Sequence, residues 1–177
     1  VHVLSATARD AAGNTTVSGA VNVNVFNSSS PVANLYVDAA IGTASCSTYN
    51  ITARNCTGGT ARAFQTMNAA SAAANPGDMV LVRGGMFNTQ FSPQKSGAAG
   101  SLVTFKNYPG ETVTLSNIGT QAILAIGRSY LIIEGFTVSN VTSYGRLEDS
   151  TNIIIRNNIF SGSTGSGTTS GFKILRG

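Results

Sequence analysis

The sequence contains no tryptophan, only four prolines, two cysteines and one histidine, and just 10% of its 177 residues are charged. Each scarcity removes a class of protein. A soluble domain usually carries charge on about a quarter of its residues, so much of the polar surface here has to come from Ser, Thr and Asn. Two cysteines with no histidine nearby cannot supply the ligands of a zinc site. No apolar run reaches the roughly 18 residues that a membrane-spanning helix needs, so no membrane span is expected. No signal peptide opens the chain, and Val1 is not expected to be the natural start of the gene product. The basic residues are scattered singly, without the basic runs and interleaved aromatics of nucleic-acid binders, so no nucleic-acid partner is expected.

What remains is a β-forming composition. Hydrophobic residues make up 42% of the chain and there are 20 glycines, with Thr, Val and Ile throughout, which suits repetitive β-structure better than helix or disorder. The formal net charge of +4 suits acidic polymers or surfaces in general, an acidic polysaccharide among the possible partners with nucleic acid or an anionic surface; ordinary solvated surface charge accounts for the same residues. Cys46 and Cys56 lie in a polar stretch, where a disulfide closing a surface loop is favoured over two free thiols. Such a bond places the protein in an oxidising compartment, secreted or at the cell surface, and contributes about 2–3 kcal/mol through the short loop it closes. Sequons at Asn14, Asn27, Asn50, Asn55 and Asn140 become informative only with sugars attached.

Residues 1–27 alternate with the strand period. Val3, Ser5 and Thr7 lead into a turn cluster, Arg9 to Asn14, and Val21, Val23 and Val25 then alternate with Asn22 and Asn24. This predicts a β-hairpin. The stretch ATARDAAGNTT followed by VNVNV resembles the last strands of bacterial immunoglobulin-like domains. Residues 28–34 read as a linker.

From Leu35 the pattern changes. Residues from about Ala61 to Ala74 predict a helix with Phe64, Met67, Ala70 and Ala74 on one stripe, ended by Pro76-Gly77-Asp78. Short apolar strands then recur. Residues 129–139 align with 151–161 at an offset of 22 without a gap, bringing Leu131 onto Ile153, Ile133 onto Ile155, Val138 onto Phe160 and Glu134 onto Arg156. The same offset is expected to link Val80–Val82 to Leu102–Thr104 and to Leu124–Ile126. A repeat of this length is one unit of a solenoid, and without the leucine pattern of leucine-rich repeats the choice falls on a parallel β-helix. Glu134 and Arg156 are then expected to form an ion pair between neighbouring rungs, worth about 0.2–1 kcal/mol.

The blocks Leu35 to Asp38, Ala69 to Gly85 and Ser96 to Glu111 carry a family likeness. The chain from Leu35 to Gly177 resembles the N-terminal part of right-handed parallel β-helix proteins of the pectate-lyase-like superfamily, within it the alginate-lyase and chondroitinase-B-like proteins. The fold this implies is all-β: a right-handed parallel β-helix over residues 35–177 with an N-terminal capping helix, preceded by the hairpin. The likeness also implies a polysaccharide lyase or glycoside hydrolase lineage, with calcium or Arg neutralising a uronate in a full-length lyase and a base removing the adjacent proton.

No catalytic residue is carried over, because the groups that do this chemistry in such lyases sit on later rungs. No cofactor or metal is predicted in this chain. Glu148 and Asp149 could join a calcium site but read more simply as solvated loop acids. His2 lies in the hairpin, far in sequence from the solenoid. Lys95 and Lys106 flank a Gly-rich loop that leads into a strand, which is wrong for a phosphate cradle. Asn157 and Asn158 match stacking positions, and Tyr130, Tyr144 and Arg146 are the candidate contacts for a glycan. Two functions follow: a polysaccharide-acting or polysaccharide-binding module, or a structural surface protein whose copies join head-to-tail through the hairpin or the β-helix ends.

Overall fold

The computed structural model describes residues 2–19, 21–23, 33, 35–166 and 171–176. The chain divides into two compact units, Val1–Pro31 and Val32–Gly177. Val25, Asn27 and, apart from Ala33, the linker expected at 28–34 lie outside the described residues, as does Gly177.

The first unit contains β1 (His2–Leu4), β2 (Thr7–Arg9), β3 (Thr15–Val17) and β4 (Val21–Val23). β1 pairs antiparallel with β4, and β2 with β3. Asp10 builds the turn between β2 and β3. Its carboxylate accepts the backbone N–H groups of Ala12 and Asn14, each at 2.9 Å, and the Asn14 side-chain amide at 2.8 Å, a local arrangement that Asp adopts readily in turns. Residues Ser5 to Gly19 are all exposed, so this stretch buries no side chain of its own.

The second unit is a parallel β-solenoid of about five turns. It opens with β5 (Leu35–Val37), β6 (Ser45–Tyr49), β7 (Ala61–Phe64) and α1 (Met67–Ala73). There follow β8 (Met79–Val82), β9 (Gly85–Phe87), β10 (Val103–Asn107), β11 (Val113–Ile126) and β12 (Ser129–Glu134). The last elements are β13 (Phe136–Glu148), β14 (Thr151–Arg156), β15 (Ile159–Ser163) and β16 (Phe172–Leu175). One sheet runs β14-β12-β10-β8-β5-β7-β6, parallel except for β6, which is antiparallel to β7. The other runs β15-β13-β11-β9, with β16 pairing along the last part of β13.

Side chains alternate in and out along these strands. Val80 and Val82, Val103 and Phe105, and Leu131 and Ile133 point inward and are buried in one continuous core with Val113, Leu115, Phe136 and Val138. Each such side chain contributes about 1.5–3 kcal/mol by leaving water, and the core so formed holds the rungs in register. Asn117 and Asn140 both adopt positive φ, and the Asn140 amide donates to the Asn117 side chain. They mark the bend at which β11 and β13 turn from one face to the next, and the pairing of these two strands shifts just beyond it.

Two sequence expectations need correction. The helix expected from Ala61 begins only at Met67, because Ala61–Phe64 is a strand wedged between β5 and β6. Thr66 caps the helix by accepting the Ala69 N–H at 3.2 Å. Phe64 shares the core with Met67, Ala70 and Ala74, but it reaches that core from a strand. The 22-residue offset holds between β12 and β14, where Leu131 pairs with Ile153 and Ile133 with Ile155, and fails earlier. Val80 pairs with Phe105, and Val103 with Leu131, while Leu124–Ile126 belongs to β11 and lies beside Arg146–Glu148. Loops of different length cause the drift. One is the turn in which Ala98 and Ser101 exchange backbone hydrogen bonds at 3.0 and 2.9 Å.

The corner after β12 admits only glycine. Gly135 has φ +79°, and a Cβ there would lie 1.9 Å from the Asn107 Oδ1. The Asn107 amide donates to the Glu111 carbonyl at 2.9 Å, so it cannot swing aside freely. On the next rung Asn158 accepts the Phe136 N–H at 2.7 Å and donates to the Ile133 carbonyl at 2.9 Å. Gly135→Ala is therefore expected to cost about 1–3 kcal/mol through strain and lost hydrogen bonding, read as a lowered unfolding free energy in denaturant titration. An unchanged free energy would contradict this packing.

Candidate functional site

The densest set of ionisable groups lies where the first rungs meet the disulfide loop. Cys46 and Cys56 are bonded, and β6, β7 and the loop between them extend the first sheet beyond β5. Beneath them Tyr36, Ile41, Tyr49 and Ala63 form a second small core, flanked by Ile51, Leu81 and Tyr108. Asp38, at the end of β5, is fully buried. Arg54 grips it with two bonds, Nε to Oδ2 at 2.9 Å and Nη2 to Oδ1 at 2.7 Å, and the Tyr49 hydroxyl donates to Oδ2 at 2.6 Å. Arg83, just after β8, donates to the Tyr49 hydroxyl at 3.1 Å and to Glu111 at 2.6 Å, and its guanidinium lies 4.2 Å from the Tyr108 ring centroid. Glu111 also accepts the Gly84 N–H.

The electrostatics follow from these contacts. Burial pushes the Asp38 carboxyl up, but the bonds from Arg54, Tyr49 and the Ala40 backbone outweigh it, and the net shift is downward. The Arg83 hydrogen bond, opposed by burial, holds Glu111 below its ordinary value. Burial first, and then the hydrogen bond to Asp38, push the Tyr49 phenol up to about 12. A phenol that holds its proton this firmly donates at neutral pH and makes a poor general base. Each charged group has a partner of opposite sign, so the network locks the cap.

Asp38, Arg83 and Glu111 stand in the three sequence blocks that carry the family likeness, yet their convergence was not foreseen. The available signal was that few acids exist to spend and that these fall at strand ends. Arg54 carried no signal at all.

The other candidates are dispersed. Glu134 pairs with Arg156 at 2.8 Å and with Lys106 at 3.1 Å, which makes a Lys-Glu-Arg ladder across β10, β12 and β14. Burial raises the Glu134 carboxyl, and its two cations more than offset this, leaving a net downward shift. Tyr130 sits at positive φ at the start of β12. The Tyr144 ring packs against Phe160 at 5.3 Å between centroids and touches the solenoid core. Arg146 pairs with Glu148 at 2.7 Å on the outer face of β13. Asp149 borders an open hollow with Ser150, Thr151, Asn152 and Arg176. Among the described residues no three His, Cys, Asp or Glu gather as a metal site, and no helix is long and apolar enough to cross a membrane. His2 lies in β1, in the other unit.

The last rung differs from the first. Leu147, Ile153, Ile155, Phe160, Phe172 and Ile174 line an apolar hollow of about 360 Å³, and Ile159 and Ile174 are largely exposed. Comparison with protein-family models, curated proteins and solved structures finds no match to this chain.

Two measurements test the cap. Arg54→Ala leaves Asp38 buried beside too few donors and is expected to cost about 2–3 kcal/mol, at the low end for a broken buried pair because Arg54 is partly exposed. Lys106→Ala, which removes one arm of a more exposed ladder, should cost less than about 1 kcal/mol. Equal losses would deny the network its special role. The folded-state carboxyl values of Asp38, Glu111 and Glu134 are all lowered. Their contribution to stability is therefore complete above the ordinary carboxylate range and is lost as the pH falls through the lowered values. A melting temperature followed against pH should drop on that acid limb, and Asp38→Asn should lower the neutral plateau and flatten the limb. A limb as steep as in the parent would show that Asp38 is not coupled to folding.

Proposed function

We propose that this chain is an extracellular β-helix module of a polysaccharide-acting or polysaccharide-binding protein, that it holds acidic glycan against its outer faces, and that it carries no complete active site. The observation behind this reading is the charge distribution. Of the charged residues only Arg9 and Asp10 lie outside the solenoid unit, so its basic excess is the whole +4 of the chain. Asp38, Glu111, Glu134 and Glu148 are each committed to an ion pair, and Asp78 accepts the Asn75 N–H. Lys106 and Arg156 share the single Glu134. Arg62, Lys95, Lys173 and Arg176 are exposed and in no ion pair with an acid among the described residues, and a positive surface of this kind favours an anionic polymer. The disulfide and the resemblance to alginate-lyase and chondroitinase-B-like proteins support the extracellular, glycan-directed part of the proposal. The ionisable network at the cap, whose groups satisfy one another, supports holding over cleavage.

A second reading has its own support. The apolar hollow at the last rung and the outer edges of β14, β15 and β16 suit stacking of further β-structure. A second copy that lent its hairpin there would make a head-to-tail contact, and such contacts grow into filaments when they do not close. A monomer by sedimentation velocity at every concentration would count against it.

For the main proposal, native electrophoresis through gels containing alginate, pectate or chondroitin sulfate should retard the chain at low ionic strength, and added salt should weaken the effect. Unretarded migration in all of these gels would overturn it.

A further inference from the structure

We infer that Arg146 and Lys173 form a subsite for one carboxylate or sulfate of an acidic polysaccharide, on the outer face built by β11, β13 and β16; this rests on the glycan-holding function proposed above. Arg146 and Lys173 are in register on neighbouring parallel strands, so their side chains emerge on the same side, about 4.8 Å apart along the solenoid. That side is outward. The residues that flank them, Leu147 and Ile174, line the inner hollow, and the Phe172 ring fills the space where a Cβ on Gly145 would stand.

Two like charges at this spacing repel each other, and the charged ladder of the first sheet avoids that arrangement. On the first sheet the ladder alternates Lys106, Glu134 and Arg156. On this face the one acid, Glu148, lies along the same strand as Arg146 and takes its Nη2 at 2.7 Å. Among the described residues no acid reaches Lys173 within the 4.0 Å of an ion pair. The Arg146 Nε is buried without a hydrogen bond, and among the described residues Glu148 is the one acid paired with that guanidinium. An anion between the two cations supplies the missing negative charge, and the two oxygens of one carboxylate suit an ammonium and a guanidinium side by side.

The surroundings fit a sugar ring better than a free ion. Glu148 pairs with Ile126 on one side and Leu175 on the other, and these are 47% and 40% exposed. They offer apolar contact to the C–H face of a pyranose beside the charged pair, the usual combination of apolar wall and few polar anchors in a ligand site.

The test uses the full chain with alginate, pectate and chondroitin sulfate at low ionic strength, comparing the parent with Lys173→Gln, Arg146→Gln and the charge-matched control Lys95→Gln. Lys173 and Lys95 are exposed, so these two variants should keep the parent melting temperature; if Arg146→Gln melts early, the Lys173 comparison decides. The expected result is a loss of affinity of about tenfold for Lys173→Gln and Arg146→Gln, with a shallower salt dependence, and less than about twofold for Lys95→Gln. Equal losses for Lys173→Gln and Lys95→Gln would reveal diffuse attraction and overturn the subsite. Full binding by Lys173→Gln would overturn the subsite and leave the glycan-holding function standing. No binding by the parent chain would overturn both.

Discussion

A parallel rung cannot complete itself. Its backbone N–H and C=O groups and its inward side chains are satisfied only by the rungs before and after it, so the two ends of a solenoid are where it is exposed to water and to unwanted pairing. At the first end the chain runs past β5, reaches the edge as β6 and returns as β7. The outermost strand is thereby short, polar and antiparallel, and the loop behind it is cross-linked by Cys46 and Cys56. The helix closes a different gap. Met67, Ala70 and Ala74 reach into the solenoid core, while the sheet edge is left to β6.

Holding that end requires charge in a chain that has little of it. Asp38 and Glu111 are joined to Arg54 and Arg83 across residues far apart in sequence, which ties the disulfide loop, the first rung and the loop after β10 into one body. With Glu134 and Glu148 committed to their own pairs, the solenoid has few acids left to offset its remaining cations. The net charge of +4 stays outside these pairs, and it is the charge that the proposed glycan binding would use.

Much of the fold was legible because strand alternation and an ungapped repeat are local signals. The match of residues 129–139 to 151–161 gave the true register of β12 with β14 and of β13 with β15. The earlier rungs were not legible in the same way, since the loop around Gly97 adds residues that a fixed offset cannot accommodate. Ala61–Phe64 reads as helix on spacing alone, and only the neighbouring strands decide otherwise. The candidate site was harder still. Arg54 meets Asp38 because a disulfide loop folds back, and Lys173 meets Arg146 across a gap of 27 residues, longer than the repeat the sequence displays. Contacts of this kind depend on loop path, which side-chain periodicity does not encode.

Amide hydrogen exchange of the chain distinguishes a first end covered by β6 and the disulfide loop from a last described rung whose Ile159 and Ile174 are exposed. Slow exchange is predicted at Leu35–Val37, Val80–Val82, Val103–Asn107 and Leu131–Glu134, with protection declining through Thr151–Arg156 to Phe172–Leu175. Labile amides at Leu35–Val37, or protection as strong at Phe172–Leu175 as in the central rungs, would contradict this contrast.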